Sequence, residues 1–137
     1  MKLDLNLEER FEQPIDEVWA AITDAGVLGR WLMENDFEPQ VGRRFTLRRG
    51  GAGPSGAIEC VLLELDPPRR MVWSWSKGDE PDERPSRVAF ELRPDGGGTL
   101  LILKHTGSAG DDAGQLATQR WPILLSALRS LLQGRMS

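Results

Sequence analysis

One histidine and one cysteine, His105 and Cys60, are the residues of this 137-residue chain whose types are best suited to chemistry. Histidine titrates near neutral pH, so His105 could orient a ligand or act as an acid or base. The alternative, which we favour, is a structural histidine hydrogen-bonded near the end of a strand. Cys60 could act as a nucleophile only beside a base, and one His with one Cys cannot form the usual zinc site. The sequence therefore names no catalytic residue, and we expect no metal site and no cofactor.

Tryptophan is the second informative residue type, because the chain has five tryptophans and no tyrosine. Trp73 and Trp75 lie two positions apart in the segment MVWSWS, so in a strand both side chains project from the same face. We predict that this face points toward the interior and that Ser74 and Ser76 lie on the outer face. Because a buried indole N–H needs a partner, the pair is either ordinary core or the wall of a binding site.

Hydrophobic periodicity predicts the elements that position these residues. A helix is predicted after Pro14, where the missing N–H costs nothing, and Asp24 is a suitable cap for a second short helix. A long apolar stripe with helical spacing, interrupted by Pro122, predicts a C-terminal helix. Alternating apolar residues predict six strands, near residues 3–11, 41–49, 57–65, 71–76, 86–93 and 99–107. The order β-α-α-β-β-β-β-β-α indicates an α+β protein whose antiparallel sheet is covered by the terminal helix.

Length and charge limit the classes of function. A chain of 137 residues suits one domain, residues 1–137. The net charge of −4 argues against a nucleic-acid partner and against binding to an anionic membrane surface. No apolar stretch approaches the ~20 residues of a membrane span, so we expect no membrane insertion. The absence of a signal peptide pattern and the single cysteine favour a cytoplasmic protein.

An ordered set of motifs extends over nearly the whole chain. Its first part is a strand followed by Pro14, a helix containing Val18 and Trp19, and a short helix that ends in a tryptophan, Trp31. The second part comprises a strand that ends at Trp75, a Gly-Gly-Thr turn at residues 97–99, His105 at the end of the last strand, and Trp121 in the last helix. This set resembles the START-like superfamily, also called SRPBCC. Within it, the chain is most similar to the AHSA family, homologues of the activator of the heat-shock protein 90 ATPase.

The resemblance implies the helix-grip fold, in which a curved six-stranded antiparallel sheet wraps around a long C-terminal helix and two short helices follow the first strand. Members bind apolar molecules in a cavity between sheet and helix, so a lipid or polyketide-like ligand is the expected partner. In this strand order three strand spacings, about 14 Å, separate Cys60 from His105, which argues against a catalytic pair. The residues expected to line the cavity are Trp31, Trp73, Trp75, Phe90, Leu103, His105, Trp121 and Leu125.

Two other functions stay open for a chain that resembles this family. One is a co-chaperone-like interaction module that stimulates a heat-shock ATPase, which requires a large exposed apolar or charged patch. The other is an enzyme of the cyclase or dehydratase type that uses His105. Because family members often pair, a homodimer is a further expectation.

Overall fold

The computed structural model of the protein describes residues 2–48, 57–77, 86–108 and 111–135. The elements, in chain order, are β1 (Lys2–Phe11), α1 (Ile15–Thr23), α2 (Ala25–Trp31), β2 (Glu34–Asn35), β3 (Arg44–Arg48), β4 (Ala57–Asp66), β5 (Arg70–Lys77), β6 (Ser86–Asp95), β7 (Gly98–Ser108) and α3 (Asp111–Arg135). The helix-grip fold is confirmed, and the predicted order of helices and strands is confirmed apart from one additional strand, β2. Within the described residues no helix combines the length and apolar character that crossing a membrane requires.

The strands form one curled antiparallel sheet in the order β1-β7-β6-β5-β4-β3-β2. The prediction of six strands was wrong by one, because it missed the two-residue strand β2. Two residues are too few to show an alternating pattern, and Asn35 holds this segment through its side chain. The Nδ2 group of Asn35 donates to the carbonyl oxygens of Ala25 at 3.1 Å and Met33 at 2.9 Å, and its Oδ1 accepts from the amide of Phe37 at 3.0 Å.

The short helices begin as their sequences indicate. Pro14 stands immediately before α1, and the acidic residues Asp16 and Glu17 occupy the first turn, where the helix dipole favours negative charge. Asp24 is the N-cap of α2, and its Oδ1 accepts a hydrogen bond from the amide of Val27 at 3.1 Å. These caps fix where each helix starts, so the apolar stripes of α1 and α2 face the core.

Helix α3 packs on the inner face of the sheet. Trp121, Leu125, Leu128 and Leu132 form its buried stripe, with helical spacings of four, three and four residues, while Ile123 stays 68% exposed. Each buried leucine contributes about 1.5–3 kcal/mol relative to exposure. The helix continues through Pro122, which is exposed.

An arginine joins α3 to the first strand at the edge of the sheet. The guanidinium of Arg129 lies 2.7 Å from a carboxylate oxygen of Glu9, and it also donates to the carbonyl oxygen of Arg10. The pair is partly exposed, so its ionic part is worth no more than ~1 kcal/mol. The contact joins the C-terminal half of α3 to β1, while Trp121 lies against rings of the strands β5, β6 and β7.

Candidate functional site

The pairing register aligns the inner-face residues in rows across the sheet. One row contains Trp73, Val88, His105 and Leu5, because each is paired with the next on the neighbouring strand. The adjacent row, toward the end of the sheet where β5 and β7 finish and β6 begins, contains Trp75 paired with Ser86. The prediction that Trp73 and Trp75 share the inner face is consistent with these positions, and the two residues lie at different depths.

Trp73 belongs to a closed aromatic group, which we call the Trp73 cluster. Its ring centroid lies 5.7 Å from that of Phe37, 5.0 Å from Phe45 and 4.8 Å from Phe90. Tilted and edge-to-face arrangements at these distances are favourable aromatic contacts. Trp73 is 0% exposed. Among the buried side-chain nitrogen and oxygen atoms of the described residues, its Nε1 alone has no hydrogen-bond partner. The Trp73 cluster is therefore tightly packed core that contains an unsatisfied donor.

A second aromatic group, which we call the Trp75 site, consists of Trp75, Ser86, His105 and Trp121. The ring of Trp75 lies 5.4 Å from the rings of both His105 and Trp121. His105 and Trp121 are buried, at 2% and 1% exposure, but Trp75 is only partly buried. Phe90 links this site to the Trp73 cluster, because its ring lies 6.1 Å from that of Trp121.

A directional chain of hydrogen bonds runs through the Trp75 site. Nε1 of Trp121 lies 3.0 Å from Nδ1 of His105, and the indole N–H can only donate, so Nδ1 must accept. A neutral His105 then carries its proton on Nε2, which donates to Oγ of Ser86 at 2.7 Å. The hydroxyl of Ser86 in turn donates to the carbonyl oxygen of Trp75 at 3.2 Å. The chain thus connects α3, β7, β6 and β5 and fixes one tautomer of the imidazole.

The same geometry keeps His105 uncharged. Burial lowers the pKa of His105 from 6.5 to about 4, because the imidazolium ion would lose its hydration. Protonation at Nδ1 would also place two hydrogens between His105 and Trp121. Both ring nitrogens are therefore used within the protein, and neither is free to exchange a proton with a substrate. This arrangement favours the structural role of the histidine over the acid–base role.

Cys60 lies on β4, opposite Phe45 of β3, and is 1% exposed. Burial raises the pKa of its thiol far above the ordinary value, and the nearby carboxylates of Asp36 and Glu59 add to the effect. Strands β5 and β6 separate it from the strand of His105. A buried, neutral thiol with no base beside it in the described chain behaves as a small apolar side chain. No group of three or more His, Cys, Asp or Glu residues suited to a metal ion occurs in the described part of the chain.

The apolar residues predicted to line a cavity belong to one hydrophobic core or pack against it. Trp73, Trp75, Phe90, His105 and Trp121 are joined by ring contacts. Leu103, the cross-strand neighbour of Phe90, and Leu125, one turn after Trp121, are buried in the same core. Trp31 is buried in that core too, and its Nε1 donates to the carbonyl oxygen of Ala21 at 3.0 Å, which ties α2 to α1.

Three residues of the Trp75 site and the Trp73 cluster were not predicted from the sequence: Ser86, Phe37 and Phe45. Ser86 could have been found by strand parity, because it lies two positions before Val88 and four before Phe90. Phe45 follows the same rule within β3, where it alternates with exposed Arg44. Phe37 lies in an irregular segment, and no periodic pattern there indicates which way its ring points.

The fold and the site can be compared with solved structures. Protein MLL2253 from Mesorhizobium loti is 29% identical, with a TM-score of 0.83 over 95% of this chain and 96% of that chain. CalU16 from Micromonospora echinospora is 28% identical, with a TM-score of 0.78 over 97% of this chain and 78% of that chain. The Aha1 dimer from Colwellia psychrerythraea has the same fold, with a TM-score of 0.80 at 16% identity over 93% of each chain. No match was found among curated proteins.

The family comparison covers the site as well as the fold. The sequence model described as "Activator of Hsp90 ATPase homolog 1-like protein" matches residues 12–133. This range begins before Pro14 and ends within α3, so it contains all the residues of the Trp75 site and of the Trp73 cluster. The resemblance predicted from the ordered motifs is confirmed, and the chain belongs to the AHSA1 family.

Proposed function

We propose that this protein binds an apolar small molecule, lipid-like or polyketide-like, at the Trp75 site between the sheet and α3. The observation that carries the proposal is the partial exposure of Trp75. Met71 and Trp73, on the same strand and the same face, are 0% exposed, whereas Trp75 retains accessible surface. A large aromatic side chain on the inner face that solvent can still reach is what the rim of a binding recess provides.

The surroundings of Trp75 support a ligand that is flat and apolar. Its ring and that of Trp121 are inclined at 53°, so together they form two walls. Ser86, which is paired with Trp75 on the neighbouring strand β6, is a small residue. Gly107 lies so close to Ser86 that an added Cβ would be 2.9 Å from Cα of Ser86, so this part of the site is built from small residues. Aromatic walls with a small residue between them favour contact with an apolar body.

A binding role fits the site better than catalysis by His105. A cyclase or dehydratase would need a ring nitrogen within reach of its substrate. Nδ1 of His105 accepts from Trp121 and Nε2 lies against Ser86. The enzyme hypothesis therefore has less support than the binding hypothesis.

Titration with an apolar fluorophore such as aminoanthracene, whose emission rises on burial, tests the proposal. Trp75→Ala should weaken binding about tenfold or more, since it removes the contact area of an indole. Trp19→Ala is the matched control, because Trp19 is also partly buried but lies on α1, and it should leave the affinity unchanged. Failure of the parent protein to bind any member of a set of apolar probes, or equal affinities of the two variants, would contradict the proposal.

The second candidate is a co-chaperone-like module, which the description of the family supports. It requires a continuous exposed patch. The exposed large apolar residues of the described chain are Val41 before β3, Leu63 on β4 and Ile123 on α3, which lie on separate segments. Stimulation of a heat-shock ATPase by the purified protein would favour this candidate. We also propose that the chain is a single cytoplasmic domain and that it forms homodimers, as the Aha1 structure from Colwellia psychrerythraea does. Sedimentation analysis tests the dimer.

A further inference from the structure

The polar atoms of the Trp75 site are almost completely used by the protein itself. The hydrogen-bond chain takes up the indole N–H of Trp121, both ring nitrogens of His105 and the hydroxyl of Ser86. One donor is left, since Nε1 of Trp75 makes no hydrogen bond to any described residue. Trp75 is partly exposed, and its Nε1, unlike that of Trp73, is not among the fully buried atoms that lack a partner in the described chain. This N–H is therefore a polar group of the site that a bound molecule can reach.

We infer that the ligand is an uncharged apolar molecule that carries a hydrogen-bond-accepting oxygen, such as a ketone, and that Nε1 of Trp75 donates to this oxygen. The inference rests on the proposed function and narrows its ligand class. An indole N–H can donate but cannot accept, so it complements an acceptor oxygen and offers no partner to an O–H or N–H hydrogen of a ligand. A buried polar group of a ligand that finds its partner adds to both affinity and specificity.

The charges around the site argue against an anionic ligand. Arg87 and Lys104 are the charged neighbours in sequence of Ser86 and His105, and strand alternation turns both toward the outer face of the sheet. Lys104 lies 3.8 Å from the carboxylate of Glu91 on that face. On the inner face the described charged pair is Glu9 with Arg129. Glu9 lies four residues along β1 from Leu5, the residue that is paired with His105, so this pair is away from the Trp75 site. No hydrogen bond, ion pair or ring contact joins Trp75 to a cation among the side chains that the structure describes. A carboxylate placed beside Trp75 would lose its hydration, and one hydrogen bond does not offset that loss.

The test compares three molecules of one shape: α-tetralone, which has an accepting carbonyl; tetralin, which has none; and tetralin-α-carboxylate, which is an anion. Binding is followed by NMR through the indole N–H signals of the five tryptophans, assigned with single Trp→Phe variants. We expect α-tetralone to bind about fivefold to tenfold more tightly than tetralin, the contribution of one hydrogen bond. It should also shift the Trp75 indole proton downfield, and the carboxylate should bind most weakly.

Trp75→Phe separates apolar binding from the hydrogen bond of Nε1, because phenylalanine keeps an aromatic wall and removes the donor. We expect the variant to bind both molecules more weakly, because phenylalanine offers less contact area than tryptophan, and to lose the preference for α-tetralone over tetralin. Equal affinities of the parent for α-tetralone and tetralin, or tighter binding of the carboxylate, would overturn this inference and leave the proposed function standing. Absence of binding by all three molecules would overturn both.

Discussion

Acidification should destabilise the protein through His105, and the structure gives the sign and size of the effect. The pKa of His105 is lowered by burial from 6.5 to about 4 in the folded state. Between these two values the unfolded chain binds a proton that the folded chain does not, so the free energy of unfolding rises with pH across this window. The contribution is fully present above pH 6.5, is lost progressively as the pH falls toward 4, and changes no further below it.

The magnitude follows from the separation of the two pKa values. A shift from 6.5 to about 4 corresponds to about 3 kcal/mol at 1.36 kcal/mol per pKa unit. His105 is 2% exposed, so solvent screens this effect little. For a domain of this size, whose total stability is about 5–15 kcal/mol, such a loss is easily measured.

The assay is urea unfolding at several pH values between 7 and 4, followed by circular dichroism. His105→Gln is the control, because glutamine does not titrate but still offers one acceptor and one donor to the partners of His105, Trp121 and Ser86. Carboxylates titrate in both proteins, so the difference between the two pH profiles isolates the histidine. We expect the parent to lose about 3 kcal/mol more than the variant over this range. Parallel profiles would refute the assignment of His105 as a buried neutral imidazole.

Three further substitutions test the packing of the same region. Ser86→Ala removes the acceptor of Nε2 of His105, which lies at 2.7 Å, and should lower the free energy of unfolding by about 1–3 kcal/mol in urea denaturation. Gly107→Ala should lower it by about 1–3 kcal/mol, because φ is +137° and the added Cβ would lie 2.9 Å from Cα of Ser86; an unchanged melting temperature would contradict this. Trp121→Phe should cost about 1–2 kcal/mol more than Trp73→Phe, because both indoles are buried but only Nε1 of Trp121 has a hydrogen bond to lose.

The sequence predicted the elements that have strong periodicity or clear end signals. The alternating leucines of β1, the proline before α1 and the cap at Asp24 each act locally, so their outcome does not depend on the rest of the chain. Strand β2 was missed for the opposite reason. Its two residues are positioned by the side chain of Asn35, which reaches back to Ala25 across ten positions of sequence. A contact of that kind leaves no periodic signal.

The role of His105 shows a different limit. Strand alternation gives His105 the same face as Leu101 and Leu103, and all three side chains are buried. Parity could not choose between an acid–base group and a structural one, since that choice depends on what each ring nitrogen contacts. The donor at Nδ1 comes from Trp121, 16 residues away on another element, and the partner at Nε2 is Ser86. Tautomer and charge follow from these partners and could not be obtained from the sequence.

For Trp73 and Trp75, strand alternation predicts the face of the sheet but not the depth of burial. Alternation gives both residues the same face, but their depths are set by their cross-strand partners, Val88 for Trp73 and Ser86 for Trp75. Three phenylalanine rings enclose Trp73, so its unsatisfied N–H is a cost of core packing that a ligand cannot relieve without displacing those rings. Trp75 is paired with a small residue and remains partly exposed, so its N–H, which has no partner among the described residues, carries no such cost. The same residue type, two positions apart, therefore serves as core in one case and as the candidate binding group in the other.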